Sequence, residues 1–103
     1  MGIHDYQEFT RTTAIYPKEH ALDYLSLGLA SEAGEVAGKY AKWIRDGVLD
    51  EEGLQKEMGD VFWQLAGLST VMGWSLADIA STNLQKLADR KSRLTITGSG
   101  DNR

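Results

Sequence analysis

The sequence predicts an all-α protein, an antiparallel bundle of about four helices that assembles into an oligomer. Apolar residues recur every three or four positions along most of the 103 residues, and the alternation typical of strands is sparse. Glycines and capping residues divide the chain at helix-length intervals, leaving short connections that favour antiparallel neighbours. One Pro, no Cys and 42% apolar residues are ordinary for one soluble globular domain.

The first two helices are predicted from their starting residues. Asp5 is suited to cap a short first helix. Pro17 is suited to the first position of a second helix that runs to about Asp46. Gly47 then ends this helix, and Asp50 caps the next one.

The third and fourth helices are predicted in the same way. The third helix runs to about Met72, and Gly73 ends it. Ser75 and Asp78 have the spacing of a capping box that starts a fourth helix, which runs to about Arg93. We therefore predict one domain over residues 1–94 and an irregular tail over residues 95–103.

The apolar residues of the second and third helices form stripes that we expect to face the core. The stripe residues are Leu22, Leu25, Leu29, Val36, Tyr40 and Trp43 in the second helix, and Leu54, Met58, Val61, Phe62, Leu65 and Leu68 in the third. A chain this short buries only about 60–65% of its unfolded surface, so its core is modest. Added burial between identical chains is therefore expected, as a homodimer or homotetramer.

Charge and composition exclude several classes of function. The net charge of −4 argues against binding nucleic acid through its phosphates. The longest charge-free stretch, residues 61–77, is too short and too polar to span a membrane. The N-terminus lacks the basic and apolar regions of a signal peptide, and without Cys there is no thiolate metal site. We expect a cytoplasmic protein with no membrane partner.

Two matching acidic motifs lie in consecutive helices. Residues 32–36 and 57–61 both read acid, any residue, Gly, acid, Val. A spacing of three residues places both acids of each motif, Glu32 with Glu35 and Glu57 with Asp60, on one helix face. Glycine in a helix interior costs about 1 kcal/mol against Ala, so we expect the glycine of each motif to allow close backbone approach or to leave room for a ligand.

A hairpin folded near Val48 brings the two motifs together. Glu35 is 13 residues before Val48 and Asp60 is 12 after it, which places both about 18–20 Å from the turn. Two carboxylates ~6 Å apart repel by roughly 3 kcal/mol at an effective dielectric of 20. Such a cluster must be neutralised by protons, basic side chains or a metal ion, and four oxygen donors suit Mg²⁺ or Mn²⁺.

The acids have two other interpretations, a dinuclear iron site and a solvated acidic face. A dinuclear iron site requires Glu-x-x-His on two helices, and neither His4 nor His20 follows an acid by three residues. A solvated acidic face on a non-enzymatic helical interaction module stays open, because short motifs have high false-positive rates.

At these residues the chain resembles the MazG-like nucleoside triphosphate pyrophosphohydrolases, a family of all-α enzymes. The superfamily motif E-E-x-x-E, a spacer and E-x-x-D is matched by Glu32, Glu35, Glu57 and Asp60, with Ser31 in place of the first Glu. The resemblance extends from about Tyr6 to Arg90. It implies Mg²⁺-dependent hydrolysis of a nucleoside triphosphate to the monophosphate and pyrophosphate, with the four acids as metal ligands. Glu35 or Glu32 is then the group that activates water.

The resemblance also implies substrate-binding residues. Lys39 lies four residues after Glu35 and is a candidate phosphate contact or a simple ion-pair partner of Glu35. Asn83, Lys86 and Arg90 form one stripe of the fourth helix and are candidates to bind phosphate or sugar. The rival enzymatic interpretation is a family member that acts on another pyrophosphate-containing metabolite.

Overall fold

The protein is all-helical over the residues described by the computed structural model, 1–94 and 96–101. This part of the chain contains no strand. The helices are α1 (Ile3–Thr10), α2 (Ala21–Asp46), α3 (Glu51–Met72) and α4 (Leu76–Ser92), with 3₁₀ turns at Arg11–Thr13 and Lys18–His20. Among the described residues, no helix combines the length and apolar character needed to cross a membrane.

The predicted helix ends are confirmed where a local side chain or a glycine sets them. Gly47 and Gly73 follow α2 and α3 with φ of 77° and 75°, the left-handed conformation that glycine adopts without strain. The Asp50 carboxylate accepts a hydrogen bond from the Gly53 amide at 3.0 Å and caps α3. Ser75 Oγ accepts from the Asp78 amide and caps α4.

Two predicted helix starts are wrong. α1 begins at Ile3, so Asp5 lies inside its first turn, where the carboxylate accepts a hydrogen bond from the Gly2 amide at 3.2 Å. Pro17 is extended, with ψ of 130°, and α2 begins only at Ala21. The proline ring fixes φ and leaves ψ free, so Pro17 suits an extended connection as well as a first helical turn.

Among the described residues, the most extensive contact between helices is that of α2 with α3, and it includes the fully buried side chain of Leu25. A Cβ added to Gly67 would lie 2.7 Å from Leu25 Cδ2, and one added to Gly28 would lie 2.6 Å from Gln64 Oε1. Each glycine thus admits a side chain of the facing helix. Early residues of α2 therefore meet late residues of α3.

The two glycines inside the acidic motifs do not make this close approach. A Cβ on Gly34 or Gly59 would meet no atom within 4 Å, so both positions face open space. The expectation of close backbone approach is wrong for them. The close approach is made instead at Gly28, six residues before Gly34, and at Gly67, eight residues after Gly59.

A glutamine side chain of α1 links this helix through hydrogen bonds to the connection between α3 and α4. Gln7 Nε2 donates to Thr70 Oγ1 at 3.1 Å and to the Trp74 carbonyl at 2.9 Å. Its Oε1 accepts from the Leu76 amide at 2.8 Å, which satisfies a donor in the first turn of α4. The buried carboxamide therefore fixes the position of α1 over this junction.

Much of the apolar stripe predicted to face the core is exposed on the single chain. Tyr40 and Trp43 of α2 and Met58, Phe62 and Leu65 of α3 are all exposed, with Met58 at 57%. The accessible surface is 7573 Å², against about 5,800 Å² expected for a compact monomer of 11.4 kDa. The radius of gyration is 16.4 Å, where about 13 Å is usual at this length.

Candidate metal centre

Three carboxylates from two helices converge beside the contact between α2 and α3. Glu32 of α2 and Glu57 and Asp60 of α3 each offer one carboxylate oxygen, and these oxygens all lie within 4.8 Å of one another. Glu32 and Glu57 are half-buried, and Asp60 is exposed. We call these three residues the carboxylate group.

The surroundings of Glu32 disfavour its negative charge. Burial raises its pKa above the ordinary value of 4.5, and the charge of Asp60 raises it further. A hydrogen bond with Glu57 and the charges of Glu57 and Glu35 act in the same direction. A cation at this position would relieve the repulsion. The donors are all carboxylate oxygens, the set preferred by hard divalent cations, so the residues present fit Mg²⁺ or Mn²⁺.

Glu35, the fourth predicted ligand, lies outside the carboxylate group. Its side chain is exposed, yet its charge acts on both Glu32 and Lys39. The structure therefore brings carboxylate oxygens of three of the four predicted acids within 4.8 Å of one another and leaves Glu35 outside this group. Its roles as metal ligand and base remain predictions.

Lys39 bridges α2 to the start of α3. Its Nζ lies 3.0 Å from Asp50 Oδ2, so its direct partner is the helix cap and not Glu35. The hydrogen bond with Asp50 raises the pKa of Lys39, and the charges of Glu57 and Glu35 raise it further. The lysine thus holds its positive charge beside the acids, and its contact with phosphate remains a prediction.

The junction of Lys39 and Asp50 has an expected pH dependence. Hydrogen bonds from the Gly53 amide and from Lys39 lower the pKa of Asp50 below its ordinary value of 3.8. A carboxylate with a lowered pKa stabilises the fold above the ordinary value, and this contribution is lost as pH falls through the folded-state pKa. We expect Asp50→Ala to lower Tm at neutral pH, and the Tm difference from wild type to shrink below pH 3.8. A difference that stays constant through this range in calorimetry would contradict the assignment.

The three candidate residues of α4 differ in their surroundings. Arg90 is buried with 4% exposure, Lys86 is half-buried and Asn83 is exposed, so the stripe only partly faces the core. Lys86 Nζ lies 3.1 Å from Asp101 Oδ1, and Arg90 Nη2 lies 3.4 Å from the same oxygen. Arg90 Nη2 also donates to the Gly100 carbonyl. Their contact with substrate remains a prediction.

The predicted tail is only partly described. Its residues 96–101 form turns and bends, and they include the acid that pairs with Lys86 and Arg90. Thr95, Asn102 and Arg103 lie outside the described residues.

An aromatic cavity of about 410 Å³ lies between α3 and the segment that joins α1 to α2. We call it the aromatic cavity. Its walls include Tyr16 and Trp63, whose rings meet nearly edge to face, with centroids 6.2 Å apart. Trp63 Nε1 donates to Thr13 Oγ1 at 2.7 Å, which fixes the indole ring. Arg11 and Lys18 add positive charge to the lining.

The aromatic cavity is only partly predictable from the sequence. Trp63 follows Asp60 by three residues and so lies one turn further along the same face of α3, which makes it a candidate for stacking. Tyr16 and Lys18 flank Pro17 outside any amphipathic pattern, and sequence reasoning missed them. The only local feature of the sequence that marks this wall of the aromatic cavity is a Tyr-Pro-Lys segment between two helices.

Comparisons with known proteins identify the family of the chain. The chain matches the MazG nucleotide pyrophosphohydrolase domain over residues 21–95, which confirms the resemblance carried by the acidic motifs. The "Gene 37 protein" of Mycobacterium phage L5 is 42% identical over 114 residues, with all of both chains covered. The search of solved structures found no match. This chain belongs to the MazG nucleotide pyrophosphohydrolase domain family.

Proposed function

We propose that the protein hydrolyses nucleoside triphosphates, deoxynucleotides among them, to the monophosphate and pyrophosphate with Mg²⁺. The observation that carries this proposal is the convergence of carboxylate oxygens from α2 and α3 within 4.8 Å of one another. Without a cation, the carboxylates repel one another. The arrangement therefore suits a divalent ion that also binds phosphate oxygens of the substrate. We propose that the protein acts in the cytoplasm, where nucleotides are available.

The acidic side chains have two different roles in this proposal, metal binding and water activation. Glu32, Glu57 and Asp60 hold the divalent ion, with Mn²⁺ as an alternative to Mg²⁺. When bound, the ion neutralises charge on the phosphate oxygens. Of the two predicted bases, we assign Glu35 to orient the water that attacks the α-phosphorus, because it is exposed and lies outside the carboxylate group.

Positive side chains and the aromatic cavity complete the substrate site in this proposal. Lys39 contacts phosphate beside the acids, and Asn83, Lys86 and Arg90 bind phosphate or sugar. Lys86 and Arg90 already hold a carboxylate, that of Asp101, which supports their use for an anion. The nucleobase stacks in the aromatic cavity, one helical turn beyond Asp60.

We further propose that α2 and α3 form an antiparallel pair whose apolar face is covered by a second copy, in a homodimer or homotetramer. The order of contacts, with Leu25 near Gly67 and Lys39 near Asp50, supports the antiparallel arrangement. The surface in excess of a compact monomer is about 1,800 Å². A standard interface buries about 800 Å² from each partner, so the excess is large enough for one or two such interfaces.

Substitution in the apolar face tests this assembly. Met58 lies with Ala33, Val36, Val61 and Phe62 in an apolar depression beside the carboxylate group. We expect Met58→Gln to shift the oligomer towards the monomer in light scattering over a range of concentrations. The matched control is Met72→Gln, at the far end of the same helix. A wild-type protein that is monomeric at every concentration would contradict the proposed assembly.

The activity is tested by incubating the protein with a panel of nucleotides and Mg²⁺. The expected products are the monophosphate and pyrophosphate, formed in equal amounts and abolished by EDTA. Release of the diphosphate and inorganic phosphate would contradict cleavage at the α-phosphorus. Activity only on other pyrophosphate-containing metabolites would select the rival enzymatic interpretation. No hydrolysis of any member of the panel would favour the interaction module.

A further inference from the structure

A buried glutamine lies next to the carboxylate group without a hydrogen-bond partner for its oxygen. Gln64 is 7% exposed, and within the described part of the chain its Oε1 has no donor. The carboxamide lies against Gly28 so closely that any side chain at position 28 would overlap it. A buried acceptor without a donor is unfavourable, and an apolar side chain of similar size would remove the penalty. Such a group requires an explanation, and a bound ligand that supplies the missing donor is one that can be tested.

Along the axis of α3, Gln64 lies between Asp60 of the carboxylate group and Gly67 of the aromatic cavity. It follows Asp60 by one turn of α3, about 6 Å along the helix axis, and it lies against Gly28, one turn before Glu32. The neighbouring residues of the same helix, Trp63 and Gly67, line the aromatic cavity. A nucleotide with its phosphates at the carboxylate group and its base in the cavity therefore places its sugar near Gln64.

We propose that Gln64 Oε1 accepts a hydrogen bond from the 3′-hydroxyl of the nucleotide sugar and so makes the site specific for nucleotides that carry this hydroxyl. The inference rests on the proposed function for the position of the nucleotide. The oxygen is covered in this structure, so the carboxamide turns about its side-chain torsions when the sugar arrives. Such rotation is fast compared with turnover. The 3′-hydroxyl, present in both ribo- and deoxyribonucleotides, then supplies the donor that the oxygen lacks.

Binding of an uncleavable nucleotide tests the proposal independently of hydrolysis. The probes are an α,β-imido deoxynucleoside triphosphate and its 2′,3′-dideoxy counterpart, titrated with Mg²⁺ into the purified protein by calorimetry. We expect the wild type to bind the deoxynucleotide about tenfold more tightly, the effect of one hydrogen bond. Gln64→Met is expected to bind both probes with the lower affinity that the wild type shows for the dideoxy probe. The matched control is Gln55→Met, an exposed glutamine of the same helix that should keep the preference.

Stability separates this role from a structural one. Gln64→Met removes an unsatisfied acceptor and nearly preserves side-chain volume, so the metal-free Tm should equal or exceed that of the wild type. Gly28→Ala displaces the carboxamide without removing it and should also reduce the preference for the 3′-hydroxyl. A lower Tm for Gln64→Met with the preference intact would overturn the proposal.

Two other results bear on the proposal. Equal affinities of the wild type for the two probes would overturn it. So would a Gln64→Met variant whose affinity falls for both probes while the ratio of the two affinities stays that of the wild type. A protein that binds the probes with the expected preference but hydrolyses no nucleotide would refute the proposed activity and leave the role of Gln64 standing.

Discussion

Glu57→Gln is expected to lower kcat/KM for nucleotide hydrolysis by at least about a hundredfold at limiting Mg²⁺. Residues that only orient metal ligands cost 10–100-fold when removed, and loss of a ligand itself costs no less. The metal-free variant should be as stable as the wild type or more stable, because the change removes one of three crowded negative charges. Activity and stability therefore move in opposite directions, which a purely structural role for Glu57 does not predict.

The matched control for Glu57→Gln is Glu51→Gln, an exposed acid in the first turn of the same helix. It makes the same chemical change outside the carboxylate group and should leave kcat/KM within about twofold of wild type, as for most surface changes. Steady-state kinetics over a range of Mg²⁺ concentrations, with Tm measured in EDTA, checks both variants. Equal activity of Glu57→Gln and wild type at limiting Mg²⁺ would refute the assignment of Glu57 as a metal ligand.

Leu25→Ala is expected to lower the free energy of unfolding by about 2–5 kcal/mol. Leu25 is fully buried and fills the space above Gly67, where α2 and α3 are in contact. The few buried apolar residues of the single chain leave little else to compensate for the cavity. The same contact sets the spacing of the helices that carry the carboxylates, so the affinity for the divalent ion should fall as well.

The control for Leu25→Ala is Leu27→Ala, which removes the same atoms from a side chain that is 73% exposed. Its effect on the monomer should be within about 0.5 kcal/mol. Urea denaturation of both variants, followed by circular dichroism, measures the difference. A Leu25→Ala variant as stable as Leu27→Ala would mean that the contact with Gly67 does not hold α2 and α3 together.

The sequence predicts those features of the fold that depend on local chemistry. Gly47 and Gly73 end helices because only glycine adopts their backbone conformation easily, and Asp50 caps α3 through its own carboxylate. Rise per residue predicts that the two acidic motifs share one zone of the hairpin, but it places Glu35 level with Asp60 and Glu32 about one turn further from the hairpin turn. In the structure it is Glu32 that joins Glu57 and Asp60. Helix starts are less certain, as Pro17 illustrates, because a fixed φ is compatible with both helix and extended chain.

Contacts that depend on the relative rotation of two helices were not predictable. Gln7 and Gln64 are ordinary polar residues in the sequence, and only the packed structure shows one satisfied by three partners and the other left with an unpaired oxygen. The apolar stripes mark which residues avoid water, but periodicity does not say whether the cover comes from the same chain or from another. Met58 and Phe62 illustrate this limit, because both belong to the predicted stripe and are exposed on the single chain.

Anomalous diffraction from a crystal grown with Mn²⁺ and an uncleavable nucleotide tests the assigned metal site most directly. We expect a manganese peak coordinated by Glu32, Glu57 and Asp60, with phosphate oxygens of the nucleotide completing its ligands. A peak elsewhere, or three carboxylates turned away from one another with the nucleotide bound, would contradict it.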